Sequence, residues 1–164
     1  MPEVGPGGLG PVASVLRMNT RLFERCLEGV AEADGLARPM GVNSITFLFM
    51  HVVDARHYLA GLLGPELDNP LKAYADVRSI DEAADLPSLA ELLALWREVS
   101  PAVQRRVEEL TADAAAAESP ADFPIDDATI RGAVAFLVLH ESYHLGQIGL
   151  LRRQLGYPGM RWTE

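Results

Sequence analysis

Four histidines occur in this 164-residue chain, and their spacing is the feature that could do chemistry. His140 and His144 stand four apart in the stretch HESYHLGQIGLLRRQLG, and His51 and His57 stand six apart in NSITFLFMHVVDARHYLAGLLG. Residues at i and i+4 share one face of an α-helix, so His140 and His144 offer two imidazoles side by side, an arrangement suited to a divalent ion. The plainer role is packing. A lone histidine on an apolar face is ordinarily a core residue with ordinary hydrogen-bond partners.

Helical phase helps to separate the two. With His140 at zero, His144 falls at about 40°, Gln147 at about 340° and Leu151 at about 20°, so both histidines lie within the apolar stripe. With His51 at zero, Leu48, Val52, Ala55, Leu59 and Leu62 centre near about 60°, which puts His51 and Tyr58 on the border of that stripe. His57, at about 240°, is expected to point away from the core. Three inward histidines with no equally obvious inward carboxylate raise a cost, because each unsatisfied buried polar group loses about 1–3 kcal/mol. A divalent metal removes it by taking one ring nitrogen from each of His51, His140 and His144. Three protein ligands leave positions open, which is the catalytic pattern rather than the structural one.

A rival reading uses carboxylates. Glu141 and His144 form a Glu-x-x-His pair and Asp54 with His57 approaches an Asp-x-x-His version, as in dinuclear carboxylate bundles. The phase disfavours it: His57 faces outward, Asp54 sits on the flank at about 300°, and Glu141 only borders its stripe at about 100°. Glu141 remains a partner for the second nitrogen of a ligand histidine. With Tyr58 and Gln147 it is a candidate to line a pocket, although a solvated charge, a packed aromatic and a surface amide are the ordinary roles of these residues.

Four helices are expected to carry these groups. Helical spacing of apolar residues runs from about residue 11 to 31, from Asn43 or Ser44 to about 63, from the Ser88-to-Glu91 capping box to about 110, and from about 127 to 155. Gly64-Pro65 ends the second and Gly156 the fourth. Pro101 interrupts the third pattern and predicts a kink or a fresh helix start. Residues 33–42 read as a loop, and 111–126 as a polar connector. The long connection from 65 to 87 has room for a short helical turn. Strand patterns are essentially absent. The expected fold is all-α, one four-helix-bundle domain over residues 1–164 with a loose leader at 1–9 and a long crossover between helices two and three.

Composition narrows the function classes. Lys and Arg number 14 against 23 Asp and Glu, a net charge of −9, which opposes binding to phosphate backbones, so no nucleic-acid partner is expected. Apolar residues make up 49% of the chain, enough for one packed core, yet the longest apolar run, residues 133–139, is too short to span a membrane. With a single cysteine, Cys26, no internal disulfide or multi-cysteine cluster can form, so any metal site must be built from nitrogen and oxygen. The N-terminus lacks a basic segment followed by an apolar run. A soluble cytoplasmic protein is expected.

The two histidine-bearing stretches, RPMGVNSITFLFMHVVDARHYLAGLLG and HESYHLGQIGLLRRQLG, resemble the DinB/YfiT-like superfamily of metal-binding four-helix bundles. The matching features are the Asn-Ser helix start, the first metal histidine, and the paired histidines followed by Gly-Gln. The motifs cover about a quarter of the chain, and the layout covers most of it. The resemblance implies that His51, His140 and His144 bind a divalent ion, zinc or nickel most often, with manganese or iron as alternatives. It implies a homodimer, for which Phe136, Leu139, Tyr143 and Leu150 form a second apolar flank, though core packing explains that flank equally well. It also implies an activity: transfer of a low-molecular-weight thiol onto an electrophilic substrate. Metal-dependent hydrolysis uses the same three ligands. A non-catalytic dimeric binding module is the other alternative, and it requires no substrate-sized cleft.

Overall fold

The structure, a computed structural model, describes residues 8–64, 68–83 and 85–162. Among them there are six α-helices: α1 (Gly10–Leu27), α2 (Glu32–Leu36), α3 (Ile45–Leu62), α4 (Leu89–Glu109), α5 (Ala112–Ala116) and α6 (Ile130–Gln154). No strand forms among these residues, only an isolated bridge between Glu118 and Thr129. The four long helices form a bundle in which α1 lies beside α4 and α6, and α3 lies beside the same two. Consecutive long helices α1 and α3 therefore face each other across the bundle axis.

Local chemistry sets the helix ends. Ser44 caps α3 by accepting from the Phe47 N–H, and Thr129 caps α6 by accepting from the Gly132 N–H. At α4 the Ser88–Glu91 capping box is formed, and the Glu32 carboxylate of α2 accepts from the Leu89 and Ala90 N–H groups. All three leading donors of α4 are thereby satisfied. Just past the end of α6, Gly156 takes a φ of 88° that lets Tyr157 N–H reach the Arg152 carbonyl.

Several boundaries differ from the expectation. The segment 33–42 is not all loop, because its first residues to Leu36 belong to α2, which begins at Glu32. The polar connector contains α5, capped by Thr111. Leu9, placed in the loose leader, is 3% exposed and joins the core; residues 1–7 lie outside the described set. Gly64 takes a φ of 102° just past α3, while Pro65 lies outside the described residues. Pro101 does not divide the third helix: α4 is continuous through it. The proline sits on the exposed face, where water can satisfy the Arg97 carbonyl that its missing N–H leaves unpaired.

Two apolar clusters fill the bundle. One contains Phe23, Phe49, Trp96, Leu145 and Ile148, and the other contains Leu16, Leu59, Val99, Val103, Val134 and Val138. In α1 and α6 the second cluster comes first along the chain; in α3 and α4 the order is reversed. So α1 and α6 run one way and α3 and α4 the other. Parallel neighbours α3 and α4 cannot be joined by a tight turn, and the chain needs the crossover from residue 63 to 88 to return along the bundle. Two short 3-10 turns, Lys72–Tyr74 and Ile80–Glu82, punctuate it, and Leu71 anchors it in the first cluster.

Between the two clusters lies a polar layer. Arg56 of α3, fully buried, donates from Nε and Nη2 to the two carboxylate oxygens of Glu141 on α6, at 2.5 and 2.8 Å. Its Nη1 donates to Thr20 Oγ1 of α1 at 3.2 Å, and its Cζ lies 4.1 Å from the ring centre of Trp96 on α4. Asn19 of α1 donates to Glu141 at 3.4 Å and to the Val138 carbonyl at 3.2 Å. Removing one member of a buried pair strands the other charge. Arg56→Met or Glu141→Leu is expected to destabilise the fold by about 3–5 kcal/mol, while the double variant Arg56→Met/Glu141→Leu recovers most of that loss. Urea denaturation reads this, and a double variant as unstable as the sum of the two singles would contradict it.

Candidate metal centre

His51 of α3 and His140 and His144 of α6 meet where these neighbouring helices pack. His140 Nε2 lies 3.0 Å from His51 Nε2 and 3.0 Å from His144 Nε2. One ring nitrogen from each histidine lies within 4.8 Å of the others, and among the described residues this is the one cluster with metal-ligand geometry. All three rings are half-buried.

The proton inventory shows what these nitrogens suit. His144 Nδ1 lies 2.7 Å from Gln147 Oε1, and the Gln147 amide nitrogen donates to Tyr143 Oη at 3.1 Å, which aims the amide oxygen at the histidine. A neutral His144 therefore carries its proton on Nδ1 and presents a bare lone pair at Nε2. His140 Nε2 faces two neighbours, but an N–H there points in one direction only. Either tautomer of His140 leaves one of the two close contacts poorly satisfied. A cation accepting all three lone pairs satisfies both. Tetrahedral zinc with bonds of about 2.0–2.1 Å would space ligand nitrogens about 3.3 Å apart, close to the 3.0 Å contacts. The donor set thus fits a divalent ion.

Electrostatics keeps the rings neutral. Burial, and then the positive charge that His144 and His51 would carry, push His140 from 6.5 down to about 4. Burial also lowers His51, opposed by the Asp54 carboxylate, and lowers His144, opposed by its bond to Gln147. Neutral imidazole is the form that ligates.

Two of the trio, His51 and His140, line a cavity of about 740 Å³. His51, Asp54, Ala55, His57 and Tyr58 of α3 line one wall, and Phe136, Leu137 and His140 of α6 line another. Asn69, Lys72 and Ala75 of the crossover form the roof, and Pro120 of the α5–α6 connector closes one side. Phe123 of that connector packs edge-on against Tyr58 and tilted against Phe136, with ring centres 6.3 and 5.3 Å away.

The chain's match to the family model of the DinB superfamily runs over residues 16–148, which includes all three histidines. The chain belongs to the DinB superfamily. No curated protein and no solved structure matches it. No helix among the described residues is long and apolar enough to cross a membrane.

The other residues singled out from sequence fare differently. Tyr58 does line the cavity. Gln147 stands on the far side of the trio, beside a smaller cavity with Asn43 and Leu48, and orients His144. Glu141 does not line the cavity: at 1% exposure it is turned into the core and committed to Arg56. His140 Nδ1 is consequently buried with no hydrogen-bond partner among the described residues. The dinuclear carboxylate arrangement is not assembled, since Asp54 accepts from Asn69 and Glu141 pairs with Arg56. His57 corrects the outward placement. It is 5% exposed because the crossover folds over the face of α3 that the bundle leaves bare. Arg56 was not recognised from sequence. Its signal was a lone cation bordering the stripe of one greasy helix and a lone anion bordering that of another.

Cys26 is buried, and burial pushes its thiol up to about 11, so the chain supplies no nucleophilic thiol of its own. The lowered histidine values have a sign. Below 6.5 the unfolded chain takes up protons that folded His140 refuses until about 4. Stability of the metal-free chain is therefore expected to fall as pH drops through that window, and His140→Gln to flatten the dependence. Urea midpoints of chelator-treated protein check this; an unchanged slope in the variant would remove His140 as the source.

Proposed function

We propose that this protein is a divalent-metal-dependent enzyme that transfers a low-molecular-weight thiol onto a small, largely apolar electrophile. What carries the reading is that two of the three clustered histidines, His51 and His140, line a substrate-sized, mostly apolar cavity. A non-catalytic metal-sequestering module has no need of such a cleft.

A bound divalent ion, zinc or nickel in this proposal, supplies Lewis acidity that favours the thiolate form of a thiol held beside it. The residues of the chain do the rest. Gln147 holds the proton of His144 at Nδ1, so that Nε2 stays bare. The Arg56–Glu141 pair locks α3 against α6 and with them the spacing of His51 and His140. Ala55, Phe136 and Leu137 hold an apolar substrate and exclude water from it. Tyr58, 46% exposed, stands at the mouth. With Cys26 sealed in the core, the sulfur must arrive as a separate small molecule, which fits the reducing cytoplasm proposed for the chain.

Metal content of the purified protein and of His144→Ala tests the site. Stoichiometric metal is expected in the wild type, with affinity lower by more than about 100-fold in the variant. Conjugation of a small thiol to a generic electrophile is expected above the uncatalysed rate in the loaded wild type and at that rate in His144→Ala. A wild type that holds no zinc, nickel or manganese even when supplied sinks the proposal; metal without conjugation leaves a binding module.

A homodimer belongs to the same proposal. Leu139, Tyr143 and Leu150 of α6 are 64%, 62% and 48% exposed, an apolar row that a second copy of α6 would cover. Leu139→Lys is expected to shift the molecular mass measured by light scattering from dimer to monomer. A wild type that is monomeric at high concentration counts against it.

A further inference from the structure

We propose that the cavity contains a second, polar subsite, formed by Asp54, His57 and Tyr58 of α3, which takes an ammonium or other hydrogen-bond-donating head group of the substrate. The proposal rests on the reading of this cavity as a substrate site and adds the chemical class of what enters it.

His57 is nearly sealed in protein, yet it lines the cavity. Its Nδ1 lies 2.9 Å from the Val53 carbonyl oxygen, one turn back on the same helix. A carbonyl only accepts, so Nδ1 carries the proton and the neutral ring keeps a bare acceptor at Nε2. That nitrogen makes no hydrogen bond within the described residues, and it is not sealed from solvent. The tautomer is thus set by the helix backbone, with the acceptor left for a ligand.

Asp54 lies one turn nearer the metal centre on the same wall. One of its oxygens accepts from Asn69 Nδ2 at 2.7 Å; the carboxylate has no ion pair among the described residues. The cation on the roof does not neutralise it, because Lys72 Nζ is held at 2.8 Å by Asp68 on the exposed rim. The polar wall therefore presents the Asp54 carboxylate, the Nε2 edge of His57 and Tyr58. This set recognises a donor head group and opposes a carboxylate. From His51 to His57 the helix rises about 9 Å, so the head group sits about that far from the substrate atom that meets the three histidines.

Calorimetric titration of the full chain with n-hexylamine and with hexanoate, with and without zinc, tests the subsite. Hexylamine is expected to bind about tenfold tighter than hexanoate, the scale of one charge-assisted hydrogen bond. The preference should shrink to under about threefold in Asp54→Asn. His57→Asn, which can keep the donor to Val53 and lacks the Nε2 acceptor, should weaken hexylamine binding, with far-UV circular dichroism confirming the fold. Equal affinities, a preference for hexanoate, no saturable binding at tens of millimolar, or a preference that survives Asp54→Asn would each overturn the proposal. Because hexylamine has no sulfur and needs no metal, this result is separable from the thiol-transfer reading, which fails on metal content or conjugation instead.

Discussion

The bidentate contact between Arg56 and Glu141 is the interaction on which the rest of the structure depends. Arg56 sits at the centre of the bundle and touches all three other long helices: a carboxylate on α6, a hydroxyl on α1 and an indole face on α4. Apolar packing alone would let helices slide or rotate by a fraction of a turn at small cost. A fully buried guanidinium paired through two parallel hydrogen bonds tolerates neither, because any misalignment leaves charge unpaired in a medium that solvates it poorly. Glu141 immediately follows His140 and Arg56 lies five residues beyond His51, so the contact that sets the register of α3 against α6 also sets the meeting of their histidines. The apolar clusters on either side supply bulk stability, and the aromatic contacts of Phe23, Phe49 and Trp96 add about 0.5–1.5 kcal/mol per pair. The polar layer supplies alignment.

The parallel arrangement of α3 and α4 has a functional consequence. It forces the chain to travel the length of the bundle between them, and the returning segment lays a second layer over the outer face of α3. The cavity lies between that layer, α3 and α6. Side chains that a bare four-helix bundle would leave in water, His57 and Asp54 among them, become the wall of a cleft. The three-histidine cluster and the cavity thus have different origins: the first comes from helix–helix packing, the second from a connection.

Much of this was legible in the letters. The capping residues Ser44 and Ser88, the stop at Gly156 and the apolar periodicity located the long helices to within a few residues, because caps and periodicity are local properties. Helical phase brought His51, His140 and His144 to the inner faces, since phase depends only on spacing. It failed at His57, because phase measures direction relative to the bundle axis and is blind to a second layer added by a crossover. It also left Glu141 ambiguous. A residue at the edge of an apolar stripe can turn outward to water or inward to a partner, and the choice depends on what the facing helix presents. Of the two outcomes Pro101 offered, the fresh helix start does not occur: a proline on the exposed face leaves the carbonyl one turn back to water, and the helix continues.

The sequence by itself determined the four long helices, the caps at Ser44 and Ser88, the family and the three nitrogens that can share an ion, since each follows from residue type and spacing along the chain. Only the tertiary structure decided which carboxylate was taken out of the site and which polar residues entered the cavity. Glu141 is held by a cation from another helix, and Asp54 and His57 are enclosed by a segment about fifteen residues away in sequence. Pairing and enclosure are relations between distant stretches, and no property of either stretch alone contains them.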